Sequence, residues 1–196
     1  LRDVRSSLLG TYPSTDVGAD GQVVVVPFSD GMTFEVVPAF LNTDGSSFTF
    51  PHAGEGGRWR TCDPRPEIRA IREMDEKCNG NLKNLCRMAR AWDATWAVGM
   101  GGLLIDTLAY TFLKDWPYRE KSHYYYDWMS RDFFDFLAGQ SPSQGYWLAV
   151  GSNQQVYRRG DFEYKAKRCR NISIDAIDYY SKEQVWSGRS KWKEVY

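Results

Sequence analysis

The stretch Gln22-Val-Val-Val-Val-Pro-Phe-Ser-Asp-Gly-Met-Thr-Phe-Glu-Val-Val-Pro38 decides the fold class. Four consecutive valines are stiff, β-branched side chains, and an unbroken run of them suits a strand buried on both faces. Pro27 cannot donate to a sheet ladder, so it marks a strand terminus or an edge. Ser29 to Met32 places Asp-Gly at the centre of a tight turn, as hairpins prefer. Thr33 to Pro38 then alternates, with Phe34 and Val36 on one face and Thr33, Glu35 and Val37 on the other. A two-stranded hairpin is marginal in water by itself, so further strands are expected to complete this sheet.

Upstream, Leu1, Val4, Leu8 and Leu9 fall at helical spacing before Gly10, so the chain opens inside a helical pattern and without Met. This start is the one expected of the C-terminal portion of a longer polypeptide. Tyr12 to Gly21 reads as loop. Asn42 to Arg65 is rich in Gly, Ser and Pro and reads as one long ordered loop carrying Phe48, Phe50 and Trp59. Beyond Pro64 the pattern turns helical. Pro66–Lys77 is one helix, and Asn81 is expected to cap a second over Leu82–Thr95. Leu103–Leu113 is an apolar helix stopped by Pro117. Tyr124–Leu137 is the next, and Gly139–Gly151 reads as loop. A single long helix is expected from Asp161 to about Trp186, closed by Gly188.

Composition bounds the function. The chain has 196 residues, 42% hydrophobic and 26% charged, an ordinary globular balance. Its 25 basic and 25 acidic residues cancel, whereas proteins that coat duplex nucleic acid are usually clearly basic. No duplex partner is therefore expected, and any anion site must be a local cluster. Aromatics reach 15%, which suits a dense core or a nucleobase pocket. Cys62, Cys78, Cys86 and Cys169 form no Cys-x-x-Cys pair, and with two histidines they argue against structural zinc. No apolar run approaches the ~20 residues that span a bilayer, so no membrane partner is expected and a reduced, cytoplasmic setting is the simple reading.

Two constellations could carry chemistry. Glu35 is a carboxylate in mid-strand, where desolvating an unpaired charge is costly. Either it meets a cation or metal, or its face is simply solvated. On the helix after Gly80, the apolar Leu82, Leu85, Cys86, Ala89 and Trp92 form a core stripe. Lys83, Arg87 and Arg90 stand at i, i+4 and i+7 on a different face. Three cations with no interleaved acid suit a polyanion such as a triphosphate, or else a solvated basic stripe. His52 and His123 are isolated, with no nucleophile pattern beside either. Gly151-Ser152 reads as a turn and helix cap, since no convincing strand precedes it.

Gly31-Met-Thr-Phe-Glu-Val-Val-Pro-Ala-Phe40 resembles the third-carboxylate strand of oligoadenylate-synthase-like nucleotidyltransferases. More closely it resembles bacterial cyclic-oligonucleotide synthases of anti-phage defence, relatives of animal cyclic GMP–AMP synthase. Gly57-Arg-Trp-Arg-Thr-Cys-Asp-Pro-Arg65, Asn79-Gly-Asn-Leu-Lys83, Arg87-Met-Ala-Arg-Ala-Trp92, Gly101-Gly-Leu-Leu-Ile-Asp-Thr-Leu-Ala109 and Trp147-Leu-Ala-Val-Gly-Ser152 look like the same group, in order along essentially the whole chain. The resemblance implies an α+β, polymerase-β-like nucleotidyltransferase fold. Residues 1–60 would be the C-terminal part of the catalytic β region, the remainder of its mixed sheet, and residues 61–196 an oligoadenylate-synthase-like helical domain. It implies NTP substrates, ATP first among them, and two Mg²⁺ or Mn²⁺ ions in the intact enzyme. Glu35 would be the third metal-binding carboxylate, and Arg87 and Arg90, with Lys83 beside them, would grip the donor triphosphate. The family's Gly-Ser motif and Asp-x-Asp pair are absent and are expected upstream of Leu1. The missing segment, or regulatory proteins, would then be partners, and a non-catalytic nucleotide- or protein-binding helical module is the alternative.

Overall fold

The valine run forms the central strand of a three-stranded antiparallel sheet ordered β1-β2-β3, with β1 Gly18–Asp20, β2 Val23–Pro27 and β3 Thr33–Val36. Val24 pairs with Val36, Val25 with Glu35 and Val26 with Phe34. Val24 and Val26 share one face and are buried with Val17. Helix α1 (Arg2–Thr11) covers that face, laying Val4, Leu8 and Leu9 on it, with Leu1, Phe28 and Val36 at its margins. Val23, on the opposite face, is also buried while Val25 is half-buried, so the run is largely enclosed, as expected. The turn forms around Asp30-Gly31: Met32 donates its backbone N–H to Asp30 Oδ1 at 2.9 Å, and Gly31 takes a φ of +87°, open to glycine at no steric cost.

The computed structural model describes residues 1–54 and 56–196. They form two compact units, Leu1–Arg65 and Pro66–Tyr196. In the first unit the segment read as one long loop holds a second antiparallel sheet, with β4 Phe40–Leu41, β5 Phe48–His52 and β6 Arg58–Cys62. Its strands alternate, but Gly, Ser and Pro around them mask the period. Pro51 is tolerated within β5; Thr49 pairs with Thr61, and on the same face the rings of Phe40 on β4 and Trp59 on β6 meet across β5, centroids 5.9 Å apart. β1 was likewise hidden, since Gly-Ala-Asp carries no strand signature and pairs only because β2 offers its edge.

The second unit is helical, with α2 Arg65–Lys77, α3 Asn81–Thr95, α4 Gly102–Asp115, α5 Tyr126–Ala138, α6 Phe162–Ser181 and α7 Val185–Val195. A short 3-10 turn, His123–Tyr125, precedes α5. The stripe on α3 is the core stripe the spacing predicts: Leu82, Leu85, Cys86, Ala89 and Trp92 are all buried. Trp92 packs on Phe134 at 5.2 Å and donates its indole N–H to Cys169 Sγ at 3.1 Å, joining α3, α5 and α6. α4 buries Leu104, Ile105, Leu108, Ala109, Phe112 and Leu113, which explains its almost unbroken apolar sequence.

Three details of the helical part differ from the sequence reading. Asn81 is the first residue of α3 rather than its cap; Gly80 precedes the helix at φ +77°. The Asn81 side chain faces inward instead, donating to the carbonyls of Arg119 and Lys121 at 2.8 Å each and accepting from the Tyr126 hydroxyl at 2.9 Å. The long last helix is two helices. It breaks at Lys182–Gln184, where Glu183 adopts φ +60° and Gln184 N–H turns back to the Tyr179 carbonyl at 2.9 Å. Gly188 lies inside α7, and a Cβ there would come within 2.6 Å of the Tyr180 ring, so it is a close-packing residue rather than a stop signal. Finally, Gly139–Gly151 contains β7 (Tyr146–Leu148), which pairs with β8 (Gln155–Tyr157). Most strands lie in the first unit and most helices in the second, the expected α+β arrangement, with α1 and the β7–β8 hairpin as the exceptions. Among the described residues no helix is long and apolar enough to cross a membrane.

Candidate functional site

Glu35 lies on β3, in the first unit, and is exposed to solvent. Among the described residues β3 pairs with β2 alone, at one edge. The hairpin alternation places Phe34 and Val36 toward α1, where they line an apolar cleft of about 260 Å³ with Leu8, Tyr12, Val26 and Phe28. Glu35 points to the other face, opposite Val25. Of the two readings of this carboxylate, the solvated one describes its surroundings here. Its side chain is free of ion pairs among the described residues and is available to a cation.

Lys83, Arg87 and Arg90 lie on the exposed side of α3, in the second unit, one row along the helix as their spacing requires. What sequence could not show is that neighbouring helices bring acids to both ends of that row. Asp75, near the C-terminal end of α2 and buried, accepts the backbone N–H of Lys83 at 2.9 Å and its ammonium at 3.0 Å. It thereby satisfies a donor in the first turn of α3, a position where a carboxylate also gains from the helix dipole. At the other end, Arg90 Nη2 donates to both carboxylate oxygens of Asp106 on α4, at 2.7 and 2.8 Å. Arg90 Nη1 meets the Cys86 carbonyl at 3.2 Å. No acid is interleaved on α3 itself, as the sequence reads, but Asp75 and Asp106 enter from helices remote in sequence and pair with the two ends of the row.

Arg87 differs from both. It is exposed, and among the described residues its polar side-chain contact is with the neutral Asn84, whose Oδ1 accepts from Arg87 Nη1 at 3.2 Å. Asn84 in turn donates to the Tyr126 hydroxyl at 2.8 Å, which fixes the polar floor beneath Arg87. Burial, the largest single influence, disfavours charge on Arg90, but the hydrogen bond and charge of Asp106, with smaller help from Cys86, together outweigh it and raise the guanidinium pKa above its ordinary value. Under the row, burial first and the Asp106 carboxylate second push the Cys86 thiol up to about 12. Cys86 is thus a neutral core group at physiological pH and no nucleophile.

Gly151-Ser152 forms the turn between β7 and β8, so a strand does precede it, and it caps no helix. Gly151 (φ +89°) sits so close to the Pro66 carbonyl that a Cβ would clash with it. Ser152 Oγ donates to the buried Glu67 at the start of α2, and Gln154 Nε2 reaches the same Glu67 oxygen at 2.7 Å. This pair fastens the turn to α2. Among the described residues no group of three His, Cys, Asp or Glu side chains converges as a metal site, and Glu35 offers one carboxylate alone. The residues present do not by themselves fit a two-metal centre.

Residues 1–75 match the Second Messenger Oligonucleotide or Dinucleotide Synthetase domain. The resemblance to the bacterial cyclic-oligonucleotide synthases holds. A probable cyclic nucleotide synthase of Bacillus cereus (strain VD146) is 24% identical over 207 residues, an alignment covering all of this chain and 61% of that protein. Vibrio cholerae DncV cyclic AMP-GMP synthase, solved with nonhydrolyzable GTP, superposes with a TM-score of 0.73 at 16% identity over 96% of this chain and 54% of DncV. Escherichia coli DncV in its 3'-deoxy GTP bound form gives 0.72 at 14% identity, over 97% and 54%. The chain therefore has the nucleotidyltransferase fold of these synthases. It spans less than two thirds of the curated synthase it matches and about half of the solved ones.

Proposed function

We propose that this chain is the C-terminal part of a nucleotidyltransferase that makes a cyclic or linear oligonucleotide second messenger from NTPs in antiviral defence in the cytoplasm. The observation that carries the reading is the row Lys83, Arg87, Arg90 on α3, held in a chain whose first 75 residues match a second-messenger synthetase domain. Arg87 binds the donor triphosphate directly, since it is exposed and has no acidic partner among the described residues. Arg90 joins it at the end of the row. Lys83, tied to Asp75, contributes less. DncV relatives solved with GTP analogues, and one solved with ATP and GTP together, support NTPs, ATP among them, as the substrates.

Glu35 supplies one carboxylate toward a Mg²⁺ or Mn²⁺ site, with the remaining ligands coming from outside these residues. The 196 residues hold no Asp-x-Asp pair, so the intact enzyme must draw that pair from elsewhere in the polypeptide. In the full-length protein, Arg87→Ala is expected to weaken binding of ATP or GTP by the loss of one charge-assisted contact, about 1.5–3 kcal/mol. Glu35→Ala is expected to abolish synthesis from labelled NTPs while leaving the thermal midpoint unchanged. Full activity in Glu35→Ala removes it from the metal site. The second reading, a non-catalytic nucleotide- or protein-binding helical module, draws on the pairing of Lys83 and Arg90 with acids, which a purely structural row would also show. NTP binding without any synthesis from labelled NTPs by the full-length protein would decide for it.

A further inference from the structure

Arg90 can grip a phosphate with two parallel N–H bonds only through a fork of its guanidinium. The end fork is formed by Nη1 and Nη2, and the side fork by Nε and Nη2. Both forks share Nη2. That nitrogen is the one Asp106 occupies, through Oδ1 at 2.7 Å and Oδ2 at 2.8 Å, with the Gly102 carbonyl a further 3.4 Å contact. Nη1 already spends one hydrogen on the Cys86 carbonyl. What remains to a ligand is one N–H on Nε and one on Nη1, on opposite edges, and neither fork is complete. The pair is also only partly withdrawn from water, with the Arg90 side chain 45% and Asp106 26% exposed, so an incoming anion can compete for it. Arg87, three residues earlier, has no such occupant among the described residues.

We infer that Asp106 sets the anion affinity of the α3 row by holding the phosphate-gripping edge of Arg90 until a polyphosphate displaces it. This rests on the reading of that row as a triphosphate site. Asp106 acts through Arg90 and does not touch the ligand. Its negative charge also opposes any anion seated there, so its removal leaves Arg90 with a free fork and an uncompensated charge. A single acidic residue thereby discriminates between ligands, because a triphosphate brings more negative charge and more oxygens than a lone phosphate with which to replace the carboxylate.

The test is a titration of the full-length protein with inorganic tripolyphosphate and, separately, with ATP, in four backgrounds: wild type, Asp106→Asn, Arg90→Ala and the double variant. Asp106→Asn keeps the side-chain shape and removes the charge. It is expected to tighten tripolyphosphate binding by roughly fivefold, the scale on which a partly exposed ion pair competes. In the Arg90→Ala background the same change is expected to give no comparable gain. If Arg90→Ala weakens binding but Asp106→Asn weakens it too, or leaves it unchanged, the inference is overturned and the site reading survives. If neither Arg87→Ala nor Arg90→Ala alters binding, the site reading falls and takes the inference with it. Should Asp106→Asn fail to fold, NMR on the wild type decides. The Arg90 guanidinium and Asp106 carboxyl resonances are expected to move together as tripolyphosphate is added, and movement of Arg90 alone overturns the displacement.

Discussion

The two units of this chain solve the problem of apolar surface differently. The helical unit buries it: Trp92, Phe133, Phe134, Phe162 and seven fully enclosed leucines and isoleucines belong to one continuous cluster. The strand unit has a small core of Val17, Val24 and Val26 under α1, and leaves Met32, Phe34, Phe40, Leu41 and Trp59 more than half exposed. Large apolar groups left in water are informative when they cluster, because monomeric domains rarely tolerate wide patches of them. The helical unit has the makings of an independent folding unit. The strand unit keeps these large apolar side chains at its surface.

Substitutions can break or sharpen this contrast. The largest effect is expected at Trp92, fully buried and hydrogen-bonded to Cys169. Trp92→Ala removes a large part of the helical core and is expected to cost about 3–5 kcal/mol, measured by urea unfolding followed at helical ellipticity. A loss below 1 kcal/mol would show that the cluster is not the single core described. A middling effect is expected at Gly188, where a Cβ has no room against the Tyr180 ring. Gly188→Ala is expected to cost about 1–3 kcal/mol by the same measurement, and Tyr180→Ala in the same chain to recover part of it. The smallest belongs to the strand unit. Phe34→Ser, at an edge position 52% exposed, is expected to shift stability by no more than about 0.5 kcal/mol. A loss like that at Trp92 would mean that Phe34 is covered in the protein in solution.

Legibility in the sequence followed the same division. Helices announced by a stripe, such as Leu82 to Trp92, or by a stop signal, such as Pro117, were readable because their apolar faces are long enough to show a period. The valine hairpin was readable for its β-branched run and Asp-Gly turn. Strands of three to five residues set among Gly, Ser and Pro were not, as β4 to β6 and the β7–β8 hairpin show. The end of α6 was hidden because Gly188, a helix breaker by composition, is there to let two helices approach. In the candidate site the cation row was legible as a spacing on one helix. Its acidic partners were not, because Asp75 and Asp106 reach it from α2 and α4, and a pattern within one helix is blind to neighbours supplied by the tertiary fold.

The inward-turned Asn81 carries a consequence for that row. Its amide clamps the carbonyls of Arg119 and Lys121, so the first turn of α3 is pinned to the segment joining α4 to α5. The pin acts as a fulcrum, two residues before Lys83, that fixes the angle at which α3 presents its outer surface. Lengthening or shortening that connecting segment would swing the row as a whole, changing the spacing of its charges relative to their surroundings without altering a single residue on α3.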